Sequence, residues 1–204
     1  MEKTEKLVYK PGVTLEGIYK AYSPRFGFLI TDDDHEDVYI GEDNHLNAVN
    51  NDKVEVKTIK GETGRHNTEG RITRVIERAN DTFVCTYEML KDGGEAVPID
   101  EKVDMVIEIP EGQEMEATTG ARVIVEVTEW PGKWTDAKGH VTEVIGYEGD
   151  KGLDIDIIIA QHRLPHVFSD ELMKEADALP REVVPENGVA DFRDLPIAVS
   201  YTHL

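Results

Sequence analysis

Between Val13 and Ile59 apolar and polar positions alternate in short runs separated by turn-forming residues, a period of two that predicts β-strands. Leu15, Gly17, Ile18 and Tyr19 open the first run, and Phe26, Phe28 and Ile30 alternate with Gly27 and Leu29 in the second. A polar acidic turn, Thr31 to Glu36, precedes a third run at Asp37-Val38-Tyr39-Ile40. Asn50-Asn51-Asp52 is turn material, after which Val54 and Val56 alternate with Lys53, Glu55 and Lys57. A polar loop over Gly61–Gly70 leads to a fifth run, Arg71 to Ile76. Short strands in this number, with no long helical pattern between them, suit a small closed barrel better than an α/β sheet.

The second half repeats the first at a fixed spacing. Asp52-Lys53-Val54-Glu55-Val56 aligns with Ala121-Arg122-Val123-Ile124-Val125, and Glu69 to Ile76 aligns with Lys138 to Ile145, both at an offset of 69. The expected fold is therefore all-β: two tandem five-stranded antiparallel barrels over 13–79 and 80–146, after an N-terminal extension of residues 1–12. Beyond Gly146 the pattern changes. Leu153 to Arg163 could form a short helix ended by Pro165, although four isoleucines are poor helix formers. Ser169 is an N-cap for a helix from Asp170 to Ala178, with Asp170 and Glu171 in its first turn and Pro180 to stop it. Residues 147–196 thus read as a short, mainly helical linker, and 197–204 as an atypical tail.

Charge sharpens this division. The 204 residues carry a net charge of -20. Residues 1–79 hold 12 Lys/Arg against 15 Asp/Glu, whereas residues 80–204 hold 10 against 27. A polyanion would therefore be met by the first half, where Lys57, Lys60, Arg65, Arg71, Arg74 and Arg78 face only Glu62, Glu69 and Glu77. The single cysteine, Cys85, excludes a disulfide scaffold and a Cys-rich zinc site. No run is apolar enough to span a membrane, and the first ten residues lack the apolar stretch of a signal peptide. The expectation is a cytoplasmic protein with no membrane partner.

The sharpest candidate chemistry lies in Arg25-Phe26-Gly27-Phe28-Leu29-Ile30 and Asp37-Val38-Tyr39-Ile40. Phe26 and Phe28 are two apart in a strand and share a face, and Tyr39 on a neighbouring strand can join them. If Leu29, Ile30 and Val38 fill the barrel, part of this aromatic set lies outside it. Exposed rings with Lys20, Arg25 and Lys53 nearby suit single-stranded RNA or DNA, offering π-faces to bases and cations to phosphates. The same alternation also permits the rings to be core.

Gly17-Ile18, Arg25 to Ile30 and Asp37 to Ile40 resemble the two short RNA-binding motifs of a cold-shock domain, an OB-type barrel, and Asn51-Asp52-Lys53-Val54 resembles the turn into its fourth strand. The order of elements along the chain is similar to the N-terminal region of the ribonuclease R family, in the RNase II/RNB superfamily. Glu69 to Asn80 with Thr82-Phe83-Val84 resembles that family's junction between two cold-shock barrels, and Val125 to Pro131 the end of its second barrel. Leu164-Pro165 with Phe168, Ala176 to Pro180, and Phe192-Arg193-Asp194-Leu195 resemble its bridge toward a nuclease domain. The resemblance implies tandem OB folds, single-stranded RNA as partner, a monomeric parent, and processive 3′-to-5′ exoribonuclease activity in the parent. Phe26, Phe28, Tyr39, Arg25, Lys20, Tyr22 and Lys53 form the implied RNA-binding set.

Departures from the family qualify this reading. Residues 1–12 are too short for the helical segment that usually begins such proteins. At the offset of 69, Phe26 and Phe28 fall on Glu95 and Val97, and Tyr39 on Glu108, so the second barrel is expected to bind bases poorly. The family's Mg²⁺-binding carboxylate cluster would follow the Arg193-Asp194-Leu195 bridge. The chain instead continues Val199 to Leu204, unlike the family, and reads as a truncated or chimeric gene product. No catalytic residue, metal ligand or cofactor is therefore assigned to this chain, and it is expected to hydrolyse no RNA. A stand-alone OB module that binds single strands or a protein remains the alternative. Asp32 to Asp37 is expected to be a solvated turn, Cys85 core, and Trp130 with Trp134 either a cap on the second barrel or an auxiliary stacking patch.

Overall fold

The period-two pattern resolves into ten strands in a computed structural model that describes residues 7–31, 35–59, 68–132, 134–165 and 168–179, with Phe192, Asp194 and Pro196. The first five strands are β1 (Thr14–Ser23), β2 (Phe26–Ile30), β3 (Val38–Gly41), β4 (Lys53–Ile59) and β5 (Glu69–Glu77), which close in the order β1-β2-β3-β5-β4. The next five are β6 (Thr82–Leu90), β7 (Gly93–Pro98), β8 (Ile107–Ile109), β9 (Arg122–Glu129) and β10 (Ala137–Gly146), closing as β10-β8-β7-β6-β9. The fold is thus two closed five-stranded barrels of OB type followed by two short helices.

The expected barrels were antiparallel throughout; each instead contains one parallel pair. β3 runs parallel to β5, pairing Tyr39 with Glu69, and β8 runs parallel to β10, pairing Glu108 with Lys138. Parity requires it: directions cannot alternate around a closed ring with an odd number of strands. The two parallel pairs are themselves related by the offset of 69 read from the sequence.

One set of alternate positions fills each barrel. Tyr19, Leu29, Val38, Ile40, Val54, Val56 and Ile72 form the first core, and Cys85, Tyr87, Ala96, Ile107, Ile109, Val123 and Val125 the centre of the second. Ile30 departs from expectation: it shares parity with Phe26 and Phe28, faces outward, and leaves its core place to Ile40. Tyr19 takes the room that Gly27 provides. A Cβ on Gly27 would stand 2.6 Å from the Tyr19 ring and 2.4 Å from the Lys20 carbonyl oxygen. Tyr87 lies over Gly94 in the same way, with a Cβ there 2.3 Å from the phenol oxygen. Cys85 is core as expected; burial pushes its thiol up to about 12, so at neutral pH the reactive thiolate is scarce.

Arg78 joins the two barrels. Its Nη1 donates to the Asp52 carboxylate at 2.7 Å and to the Asn47 carbonyl at 2.7 Å, while Nη2 reaches the Asn47 side-chain oxygen at 2.6 Å. The guanidinium lies 3.6 Å over the ring of Trp130, which packs edge-on to Phe83 of the second barrel. Asn47 also donates from Nδ2 to the Pro131 carbonyl at 2.8 Å. Trp130 therefore caps the second barrel, whereas Trp134 is exposed.

Leu153–Gln161 is helical (α1) despite its isoleucines; Gly152 starts it in the left-handed region and Asp154 and Asp156 favour its first turn. Arg163, just beyond, bonds Thr82 of β6. The second helix (α2, Asp170–Ala178) carries the cap read from the sequence, with the Leu172 N–H donating to Ser169 Oγ at 3.3 Å. Among the described residues no helix is long and apolar enough to cross a membrane. Asp32–Asp34, most of the 61–70 loop, Pro180 to Asp191, Arg193, Leu195 and the tail lie outside the described residues.

Candidate nucleic-acid interface

Parity places Gly27 and Leu29 inside the first barrel and so turns Phe26 and Phe28 outward. Strand pairing then sets Lys20, Phe28 and Tyr39 in one row across β1, β2 and β3. Phe26 sits opposite Gly41, which has no side chain to cover it, and the Tyr39 ring leans toward that gap. A register shift between Ala21 and Ser23 leaves Tyr22 without a cross-strand partner and turns it out to 63 % exposure.

The four rings touch one another. Tyr22 and Phe26 are stacked at 6.2 Å and 8° between planes, and Phe26 and Tyr39 at 5.9 Å and 27°. Phe28 meets Tyr22 edge-on at 5.5 Å and Tyr39 at 5.7 Å. These separations fall within the range of attractive aromatic pairs, so the cluster is held in place before any ligand arrives. Phe26, Phe28 and Tyr39 remain part-exposed. A base entering here can stack with little reorganisation of the protein.

The cations are less tightly grouped. Lys20 lies in the row of the rings and bonds Asn51 through Nζ. Arg25 is exposed in the turn before Phe26. Lys53 stands one row away, opposite Ile18, which in turn faces Ile30. Ile18 and Ile30 therefore extend the face as apolar floor. Among the described residues the basic stretch from Lys57 to Arg78 forms no comparable patch. Arg71 bonds Asn44 at 2.7 Å, Arg74 pairs with Glu55 at 3.4 Å, and Arg78 is committed to Asp52; Lys60 and Arg65 lie outside the described residues.

Among the described residues no three His, Cys, Asp or Glu side chains come together as a metal site. The donor set needed for the Mg²⁺ that the resemblance implies for a nuclease domain does not occur there, and no hydrolytic step is assigned to these residues.

Two family models match the chain: a cold shock domain over residues 96–169 and a ribonuclease B OB domain over residues 17–75. The acetazolamide conferring resistance protein zam of Synechocystis is 31% identical over 195 residues, a match covering 91% of this chain and 25% of that protein. Ribonuclease R of Escherichia coli is 29% identical over 185 residues, covering 90% of this chain and 23% of that protein. This chain thus spans about a quarter of the length of these two relatives. The fold is that of the corresponding part of Mycoplasma genitalium RNase R, with a TM-score of 0.71 at 16% identity over 82% of this chain and 27% of that one.

Proposed function

Because the chain carries a cold-shock/OB region homologous to the ribonuclease R family, we propose that it is the RNA-capturing part of a 3′-to-5′ exoribonuclease of that type, guiding single-stranded RNA toward a hydrolytic domain. The observation that carries this reading is the outward cluster of Tyr22, Phe26, Phe28 and Tyr39 with Lys20 in its row. M. genitalium RNase R has been solved in complex with ribose methylated single-stranded RNA, and its fold there is similar to this chain at a TM-score of 0.71. Capture is assigned to the rings, with Lys20, Arg25 and Lys53 taking phosphates; hydrolysis, with its Mg²⁺, belongs to the parent. The parent is taken to act as a monomer in the cytoplasm.

Stacking is short-ranged and worth about 1–3 kcal/mol per base, so it survives the repulsion from a net charge of -20. Cations are few near the rings. If three of them neutralise phosphates, the logarithmic salt slope should be about −2. The test is titration of an unstructured oligouridylate against the protein and its Y22A, F26A, F28A and Y39A variants, with folding followed by circular dichroism. Each substitution should weaken binding by roughly 5- to 150-fold and leave the barrel folded. Folded variants that bind like the parent sequence would place the contact elsewhere.

A further inference from the structure

The second barrel repeats the face just described with its charge inverted. Register fixes the correspondence independently of loop length: Tyr19 pairs with Leu29 and Leu29 with Val38 in the first barrel, as Tyr87 pairs with Ala96 and Ala96 with Ile107 in the second. Phe28 therefore corresponds to Glu95, Tyr39 to Glu108 and Lys20 to Glu88. Phe26 corresponds to Gly93, a shift of two residues from the correspondence expected at the offset of 69. Nothing corresponds to Tyr22, because β6 pairs with β7 without the register shift found in β1.

Glu88, Glu95 and Glu108 stand directly opposite one another across β6, β7 and β8, and all three are exposed. Among the described residues none of them forms an ion pair. Lys138, which continues the row on β10, is 3.6 Å from Glu129 instead. Like charges directly opposite in a sheet destabilise it. Cross-strand neighbours lie about 5 Å apart, so each glutamate falls within the roughly 8 Å Debye length of the next at physiological salt and the row repels as a unit.

We propose that Glu88, Glu95 and Glu108 are specificity-determining residues that keep single-stranded nucleic acid off the second barrel, leaving one strand to the aromatic face of the first. The proposal rests on the reading of the first barrel as the binding face. A sheet surface of OB type with backbone and apolar positions available would otherwise offer a second, misdirected seat for the same ligand. Here the three carboxylates meet the phosphates before any base can reach the sheet.

The test compares the whole protein with the triple variant E88Q/E95Q/E108Q. A control triple, E101Q/E111Q/E148Q, removes the same charge from exposed positions outside the row. Unfolding midpoints and dodecauridylate affinity are measured for all three proteins, in low and high salt. The row variant should melt higher than the original protein and bind about fivefold more tightly at 50 mM salt, with the gain gone at 500 mM. Binding that persists in the row variant after F28A and Y39A are added would locate the gain on the second barrel. An unchanged affinity, or an equal gain in the control triple, would overturn the proposal by reducing the row to net charge. Should F28A and Y39A leave the affinity of the original protein unaltered, the reading of the first barrel fails instead, and the row is still judged by the difference between the two triples.

Discussion

Arg78→Ala should cost about 3–5 kcal/mol of stability, because it strands a carboxylate that is 0 % exposed. Asp52 accepts from the backbone N–H groups of Val49 at 3.0 Å and Ala79 at 2.9 Å, and among the described residues Arg78 supplies its only ion pair. With the guanidinium gone, the two amides remain but the buried negative charge has no counter-ion. The turn that carries Asp52 also holds β1: the Tyr19 N–H donates to the Asp52 carbonyl and the Asn51 N–H to the Tyr19 carbonyl, each at 2.8 Å. Loss should therefore fall on the first barrel. Urea unfolding followed by circular dichroism measures it. Asp52→Asn added to Arg78→Ala should recover only part of the loss: the neutral amide needs no counter-ion, but its Nδ2 cannot accept from the Val49 or Ala79 N–H that a carboxylate oxygen accepts from. A single variant within about 0.5 kcal/mol of the original protein would refute this account of the junction.

Gly27→Ala should be nearly as damaging, about 3 kcal/mol, at the upper end of overpacking costs. Its Cβ would meet a backbone carbonyl oxygen at 2.4 Å as well as the Tyr19 ring, and a strand carbonyl cannot swing aside as a side chain does. The expected result is a first barrel that melts early, with the outward rings losing their register. Gly41→Ala is the matched control in the same sheet: its Cβ meets only the Tyr39 ring, at an ordinary 3.5 Å. The control should stay within about 0.5 kcal/mol. Equal stability of the two variants would contradict the Tyr19–Gly27 packing.

What the sequence made legible follows from which forces are local. Period-two alternation is a property of neighbouring residues, so Phe26 and Phe28 could be placed on one face without any knowledge of pairing. The offset of 69 was visible because the β4–β5 and β9–β10 hairpins keep the same spacing between partners: Val54 pairs with Val75 as Val123 pairs with Val144. Register is not local. The Tyr19–Gly27 and Tyr87–Gly94 pairs are the best markers of the repeat, yet they sit at offsets of 68 and 67, because β2 connects to β3 by a shorter path than β7 to β8 and because Tyr22 is an extra residue in β1. The shift that exposes Tyr22 needs the partner strand to define it, and the outward turn of Ile30 likewise follows from which parity Leu29 takes. Arg78 read as one more surface cation because a sequence shows charge and not burial. Its partners, Asn47, Asp52 and Trp130, come from three separate segments that only the closed barrels bring together.

One face of one barrel is proposed to take the RNA. This is tested most directly by recording ¹H–¹⁵N and aromatic ¹H–¹³C spectra of the whole protein while an unstructured oligouridylate is titrated in. The account predicts shifts confined to Lys20, Tyr22, Phe26, Phe28 and Tyr39 with their strand neighbours, and none at Glu88, Glu95 or Glu108. Shifts centred on β6–β8, or a titration that moves the Arg71–Arg74 side of the first barrel and leaves the four rings still, would contradict it.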